Sequence, residues 1–339
     1  MAAAGLVSLG VAACATVPEA VPKVPEFPGV PAERDLRAEY RLAVCSRLTP
    51  GTRACEDVLL REAGETDVSA DRPLPADLPR RYRIGLVPGL FAECLAPVAK
   101  AFGDIEPPLR ARGYDVTYLN VPGRGTASAN ARFLAERLAT DVGDARPFIL
   151  LTYSKGLLDV LEYVSNYPVA ARRVAAIVSI AGAANGTPLA DAYQSSYRNW
   201  LAKLPLPGCA TSDGSEILDL KPEVRREWWR HNGDRIRVPV FSLVTTPRKE
   251  QLSVGLGIAH ASLAAIDPRN DGKILWFDQL VPGNYLLGFL NADHWAVATP
   301  LDASLPWLAF LFKDDIPRLA LVEGAIAVAA AMLAEEAPR

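Results

Sequence analysis

Ile149-Leu150-Leu151-Thr152-Tyr153-Ser154-Lys155-Gly156 is an apolar run that stops at a serine, with a glycine two residues later and a helical pattern beyond. A short apolar run of this kind reads as a buried strand, and the change of period after it reads as a strand-to-helix turn. A serine forced onto such a turn has its hydroxyl exposed at the edge of a sheet, where it can serve as a nucleophile. In the usual form of this turn, G-x-S-x-G, the first position is glycine because it is crowded; here it is Thr152. The motif by itself is short, so its meaning depends on what surrounds it.

Strands and helices alternate on either side. Arg83–Val87 reads as a buried strand stopped by Pro88-Gly89, and 95–112 as a helix. Tyr114–Leu119 reads as a strand, Asn130–Leu138 as a helix and Phe148–Tyr153 as the strand that leads to Ser154. Gly156–Tyr167 is then a helix and Val174–Ile180 a strand. This order predicts an α/β fold with a mostly parallel central sheet and helices on both faces. Regularity stops at Gly182. Residues 183–236 are polar, contain Pro205 and Pro207, and carry Trp200, Trp228 and Trp229, so they read as an inserted cap beside the site. Those tryptophans are candidates either to cover an acyl group or simply to pack the cap onto the core. Val238–Val244 resumes as a strand, and a second irregular stretch runs to about 272. The last core pieces are Lys273–Phe277, Tyr285–Leu290 and a helix over Pro300–Leu311.

A serine hydroxyl needs a base to take its proton, and the base needs a carboxylate to orient it. The chain has three histidines, His231, His260 and His294. Only His294 falls on a loop after the last strand, where such a fold places its base. The carboxylate is expected between serine and histidine in chain order. Asp271, in the turn-like Asn270-Asp271-Gly272, is the first candidate, with Asp278 and Asp267 competing. Asp293 is too near His294 in sequence to reach the far ring nitrogen easily. A tetrahedral intermediate needs two N–H donors for its oxyanion. Lys155, next to the serine, offers one, and the loop after the first core strand offers another from Leu90 or, second, Phe91; Pro88 has no N–H. Phe91, Tyr153 and Trp295 are candidate substrate contacts, and the charge of Lys155 is a candidate attraction for an acidic substrate.

The 339 residues carry a net charge of −3 with no basic clusters, which argues against a nucleic-acid partner. Met1–Pro18 has no charged side chain and resembles the apolar part of an export signal. Val11-Ala12-Ala13-Cys14 resembles a lipoprotein cleavage box, which would put a lipid anchor on Cys14 and tie the chain to a membrane; the expected location is secreted or periplasmic. Cys45, Cys55, Cys94 and Cys209 then remain, an even number that permits two disulfides in an exported chain. Cys45 and Cys55 enclose a turn-like segment, and Cys94 with Cys209 would tie the loop after the first core strand to the insertion. The Ala-rich segment Arg318–Glu335 reads as a helix. Its uncharged run after Glu323 is too short to cross a bilayer.

Four stretches resemble the α/β-hydrolase family, and within it the secreted bacterial triacylglycerol lipases and esterases. Leu86-Val87-Pro88-Gly89-Leu90-Phe91 is similar to the lipase oxyanion loop, and Tyr153–Val160 to the elbow and its helix. Ile180–Asp191, with Asn185-Gly186-Thr187-Pro188, is similar to a segment lipases carry after the next strand. Asn270-Asp271-Gly272 followed by His294 matches the lipase spacing of acid and base. The chain departs from the lipase pattern at Thr152, at Tyr153 and Pro88, where lipases often have histidine, and at Leu157, where they have glycine. The resemblance implies an α/β-hydrolase domain over 81–312; composition reads a cap at about 183–236 within it and, outside it, a leader (1–18), a Pro-rich tether with a helical extension (19–80) and the Ala-rich helix (313–339). It implies a Ser154-Asp271-His294 triad acting on carboxylic esters, lipid or other, through an acyl-enzyme, with no metal or organic cofactor. The same triad also serves amidases and thioesterases, and a hydrolase fold without catalysis would act as a lipid-binding scaffold.

Overall fold

The computed structural model describes residues 34–66, 77–140, 143–206 and 208–336. The apolar leader, Cys14 and most of the Pro-rich tether lie outside the described residues. Seven strands form one sheet: β1 (Leu59–Leu60), β2 (Arg83–Val87), β3 (Val116–Tyr118), β4 (Phe148–Tyr153), β5 (Val174–Ile180), β6 (Val240–Thr245) and β7 (Tyr285–Leu290). Their order is β1-β7-β6-β5-β4-β2-β3, and every pairing is parallel except β1 against β7. β2, β4, β6 and β7 are buried along their whole length. This is why they read as continuous apolar runs: both faces of a parallel sheet are covered.

The helices of eight or more residues are α1 (Arg37–Cys45), α2 (Ala127–Ala139), α3 (Gly156–Asn166), α4 (Pro188–Ser196), α5 (Pro222–Asn232), α6 (Gly257–Ala264) and α7 (Arg318–Glu336). On one face, Ile149 and Leu151 of β4 meet Tyr40 and Val44 of α1 and Leu321, Val322, Ile326 and Val328 of α7 in one apolar cluster. On the other, Phe148 and Leu150 meet Leu134 and Leu138 of α2 and Leu157 and Val160 of α3. The two-residue alternation of the strand therefore divides its side chains between two cores. Among the described residues no helix is long and apolar enough to cross a membrane.

Three local expectations are corrected. Residues 95–112 are not one helix: a turn of helix at Ala92–Leu95 is followed by turns and then by Glu106–Ala111. Pro107 and Pro108 lack the N–H that a helix interior needs, and they sit in the first turn of a new one. The insertion after Gly182 is largely helical, containing α4, a π turn at Tyr197–Leu201 and α5. Lys273–Phe277, the core piece after the Asp271 turn, joins no strand of the sheet, and the N–H groups of Lys273 and Ile274 are donated to the Asp271 carboxylate at 2.8 and 2.7 Å. Pro300–Leu311 is two short pieces, Leu301–Ser304 and Pro306–Leu311, divided at Pro306. Both disulfides form, Cys45–Cys55 and Cys94–Cys209, with Cα atoms 5.4 and 4.7 Å apart.

β2 lies between β3 and β4, so the chain reverses its direction of travel across the sheet there. The carboxyl ends of strands at such a reversal open a crevice. Ser154 follows β4 and Gly89-Leu90-Phe91 follows β2, with Val87 paired to Thr152 in register. The two segments that the sequence assigns to one site therefore leave adjacent strands side by side.

Candidate active site

Ser154 has φ 54°, in the left-handed region that side chains avoid. What holds it there is close packing of the turn. A Cβ on Gly156 would lie 2.4 Å from the Pro88 carbonyl oxygen and 2.7 Å from that of Val87, so α3 can begin against β2 only with glycine at this place. Thr152, at the usually glycine position, is still within β4, fully buried, and its hydroxyl donates to the Val178 carbonyl at 3.2 Å. The larger residue is accommodated because its one polar group is satisfied across the strand pair.

His294 and Asp271 arrive from two loops. The ring Nε2 of His294 is 3.0 Å from Ser154 Oγ, and its Nδ1 is 2.7 Å from Asp271 Oδ2. The Asn270-Asp271-Gly272 turn is locked by Gly272 N–H donating to Asn270 Oδ1 at 3.0 Å. Beyond the two backbone donors to Oδ1, the Thr245 hydroxyl lies 2.8 Å from Oδ2 and Gln279 Nε2 lies 3.4 Å from it. Thr245 and Gln279 were not foreseen. One ends a strand and one sits on a 3-10 turn, and only the assembled fold brings them to Asp271. Asp293 accepts from the N–H groups of Ser253, Trp295 and Ala296, which shapes the loop that presents His294. Tyr153 packs beneath the imidazole, ring centroids 5.1 Å apart, and its hydroxyl donates to the His294 carbonyl at 2.8 Å.

The other candidates fall elsewhere. His231 is exposed on α5, beside Glu227, and His260 is on α6 with its ring outside the cavity lining. Asp267 is paired with Arg269 at 2.8 Å and accepts from the Trp276 indole. Asp278 is buried and makes no hydrogen bond with His294, and loss of hydration pushes its carboxyl up to about 8, partly offset by Arg226.

Among the described residues the backbone N–H groups of Leu90 and Lys155 have no protein partner, whereas that of Phe91 donates to the Gly123 carbonyl at 3.1 Å. The charge of Lys155 does not reach the cavity. Its side chain is buried with its ammonium 2.6 Å from Asp159 Oδ1, and Asn130 of α2 donates to the other oxygen at 2.8 Å. Burial pushes the Asp159 carboxyl up to about 6, against the pull of Lys155 and Asn130.

Ser154 and His294 open into a cavity of about 700 Å³ whose lining is predominantly apolar. Phe91, Tyr153 and Trp295 all line it, as do Tyr197, Leu201, Ile217 and Leu220 of the insertion. The three tryptophans of the insertion do not. Trp228 and Trp229 pack against the core below α5, and Trp200 is 80% exposed. The segment after Gly182 reaches the cavity instead through Tyr197, whose hydroxyl donates to Glu216 at 2.7 Å, and the Phe91 ring centroid lies 5.8 Å from that of Tyr197.

The fold is shared with known enzymes. The metagenomic carboxyl esterase MGS0156 is 32% identical to the chain, with a TM-score of 0.81 over 95% of this chain and 97% of that one. Two lipases share the fold at lower identity. That of Bacillus licheniformis, BlEst2 in mature form, is 21% identical over 66% of this chain and 88% of its own, with a TM-score of 0.53. Lipase 1 of Pelosinus fermentans is 15% identical over 73% and 97%, with a TM-score of 0.52. No protein-family model matches the chain, and no curated protein does. The chain belongs to the α/β-hydrolase family, with the carboxyl esterases, and is a carboxylic ester hydrolase.

Proposed function

We propose that the protein is an exported serine esterase in which Ser154, His294 and Asp271 form the catalytic triad. The observation that carries this reading is the His294 ring spanning from Ser154 Oγ at 3.0 Å to Asp271 Oδ2 at 2.7 Å. His294 Nε2 takes the hydroxyl proton as Ser154 Oγ attacks the ester carbonyl, and Asp271 holds the Nδ1–H and supports the imidazolium. The unpartnered N–H groups of Leu90 and Lys155 receive the oxyanion. Collapse of the intermediate breaks the ester C–O bond, His294 returns the proton to the leaving alkoxide, and the acyl group remains on Ser154. Water then attacks that acyl group, His294 again taking and returning the proton, so that the acid departs and the serine is restored. The apolar lining favours an ester with a hydrocarbon acyl part over a highly polar one. Export rests on the uncharged leader and on Cys14, with the four remaining cysteines consistent with an oxidising compartment.

The test is hydrolysis of short- and medium-chain p-nitrophenyl esters by the protein beside its Ser154→Ala and His294→Ala variants. Each variant is expected to lose about 10³-fold or more in kcat/KM. Retention of activity in folded Ser154→Ala sinks the assignment, and a wild-type protein that turns over no ester shifts the reading to a non-catalytic hydrolase fold.

A further inference from the structure

Lys273 is the only Asp, Glu, Lys or Arg among the described residues that line the active-site cavity. Its ammonium makes no hydrogen bond or ion pair with any described residue. Its ammonium lies over the ring of Trp295, 5.9 Å from the centroid, at the outer limit of a useful cation–π contact. The backbone of Lys273 is fixed from both sides, the N–H donating to Asp271 Oδ1 at 2.8 Å and the carbonyl accepting from the Thr187 hydroxyl at 2.6 Å. So this cation stands next in sequence but one to the triad acid, beside the residue that follows the triad base. Burial lowers its affinity for the proton, and Asp271 partly restores it.

A cation partly withdrawn from water and held in no ion pair with any described residue is costly, and natural proteins seldom leave one so without use. An anion brought by a ligand would supply the missing partner in an apolar setting, where the interaction is stronger than in water. We propose that Lys273 is a specificity-determining residue that pairs with a carboxylate carried by the substrate, so that the preferred esters are hydrocarbon acyl esters with an anionic end. The carboxylate lies along the cavity wall between Trp295 and Thr187 while the scissile carbonyl sits at Ser154. This rests on the serine esterase reading, and it names the substrate class for that same site.

The experiment compares mono-p-nitrophenyl esters of succinate, glutarate and adipate with neutral p-nitrophenyl esters of the same chain lengths, for wild type and for Lys273→Met. The reading is the ratio of kcat/KM for carboxylate over neutral ester at each length. Lys273→Met is expected to lower the ratio by about 10- to 100-fold at the best length, the worth of one charge-assisted hydrogen bond. Lys273→Arg is expected to retain part of it. Raising the salt concentration should also lower the wild-type ratio while leaving that of Lys273→Met in place. A ratio that is the same in wild type and Lys273→Met, with neutral esters still cleaved by wild type, overturns the inference and leaves the esterase reading standing. Absence of turnover on every ester overturns both.

Discussion

At Ser154 the backbone is held where a side chain is unwelcome, and the neighbouring glycine makes this arrangement tolerable. Gly156 touches the carbonyl groups of Pro88 and Val87 so closely that an added methyl overlaps backbone, not a flexible side chain. Gly156→Ala is expected to push α3 away from β2, costing about 1–3 kcal/mol of stability. Because the same shift moves the Lys155 N–H relative to Leu90, kcat should fall much more than KM rises. Urea unfolding together with steady-state kinetics checks this; a variant with wild-type stability and kcat would show that the turn has slack. The residue scale is also where sequence reading worked best and then stopped. That Ser154, Asp271 and His294 would stand within hydrogen-bond reach of one another was legible because chain order and residue type restrict them, with three histidines to choose among. Lys155 was misread because a charged residue beside a nucleophile looks solvent-facing until its partner Asp159, one helical turn away, and Asn130, on another helix, are both in place. Thr245 and Gln279 were invisible, since nothing local marks a threonine at the end of a strand as a support for a distant carboxylate.

The elements around the site are tied together by a covalent link as well as by packing. Cys94, just after the Leu90-Phe91 loop, is bonded to Cys209 in the insertion, 115 residues on, whereas Cys45–Cys55 closes a separation of 10. Loop-closure entropy makes the longer link worth more, by about 2 kcal/mol on the chain-entropy model. The paired Cys94→Ser and Cys209→Ser variant should therefore lose that much more stability than Cys45→Ser with Cys55→Ser, read as a larger fall in the urea midpoint. Equal losses would show that strain or residual unfolded structure outweighs loop length here. Strands proved easier to place than helices. β4 and β5 were read to their last residue because runs buried on both sides have sharp edges. Residues 95–112 and the insertion were misjudged, because prolines at helix starts and a π turn are decided by packing and by which N–H groups find partners.

Over the whole molecule, acidity should act through carboxyls that burial holds protonated. Asp278 has its carboxyl raised from 3.8 to about 8. The folded state then binds a proton between these values that the unfolded chain does not, so stability from this group is present below about 4 and is lost as pH rises through 8. Melting temperature is expected to climb as pH falls from 8 toward 5, and Asp278→Asn should flatten that slope. A slope unchanged in the variant would place the effect on other groups, such as Asp159, raised to about 6.

The first described segment and the last one are partners. α1 packs on α7, β1 pairs with β7, and the Tyr40 hydroxyl donates to the Leu321 carbonyl across 281 positions of sequence. During synthesis the ribosome releases Tyr40 long before Leu321 exists. The early segment must therefore wait, unpaired, until nearly all of the chain has been made, and the edge of the sheet closes last.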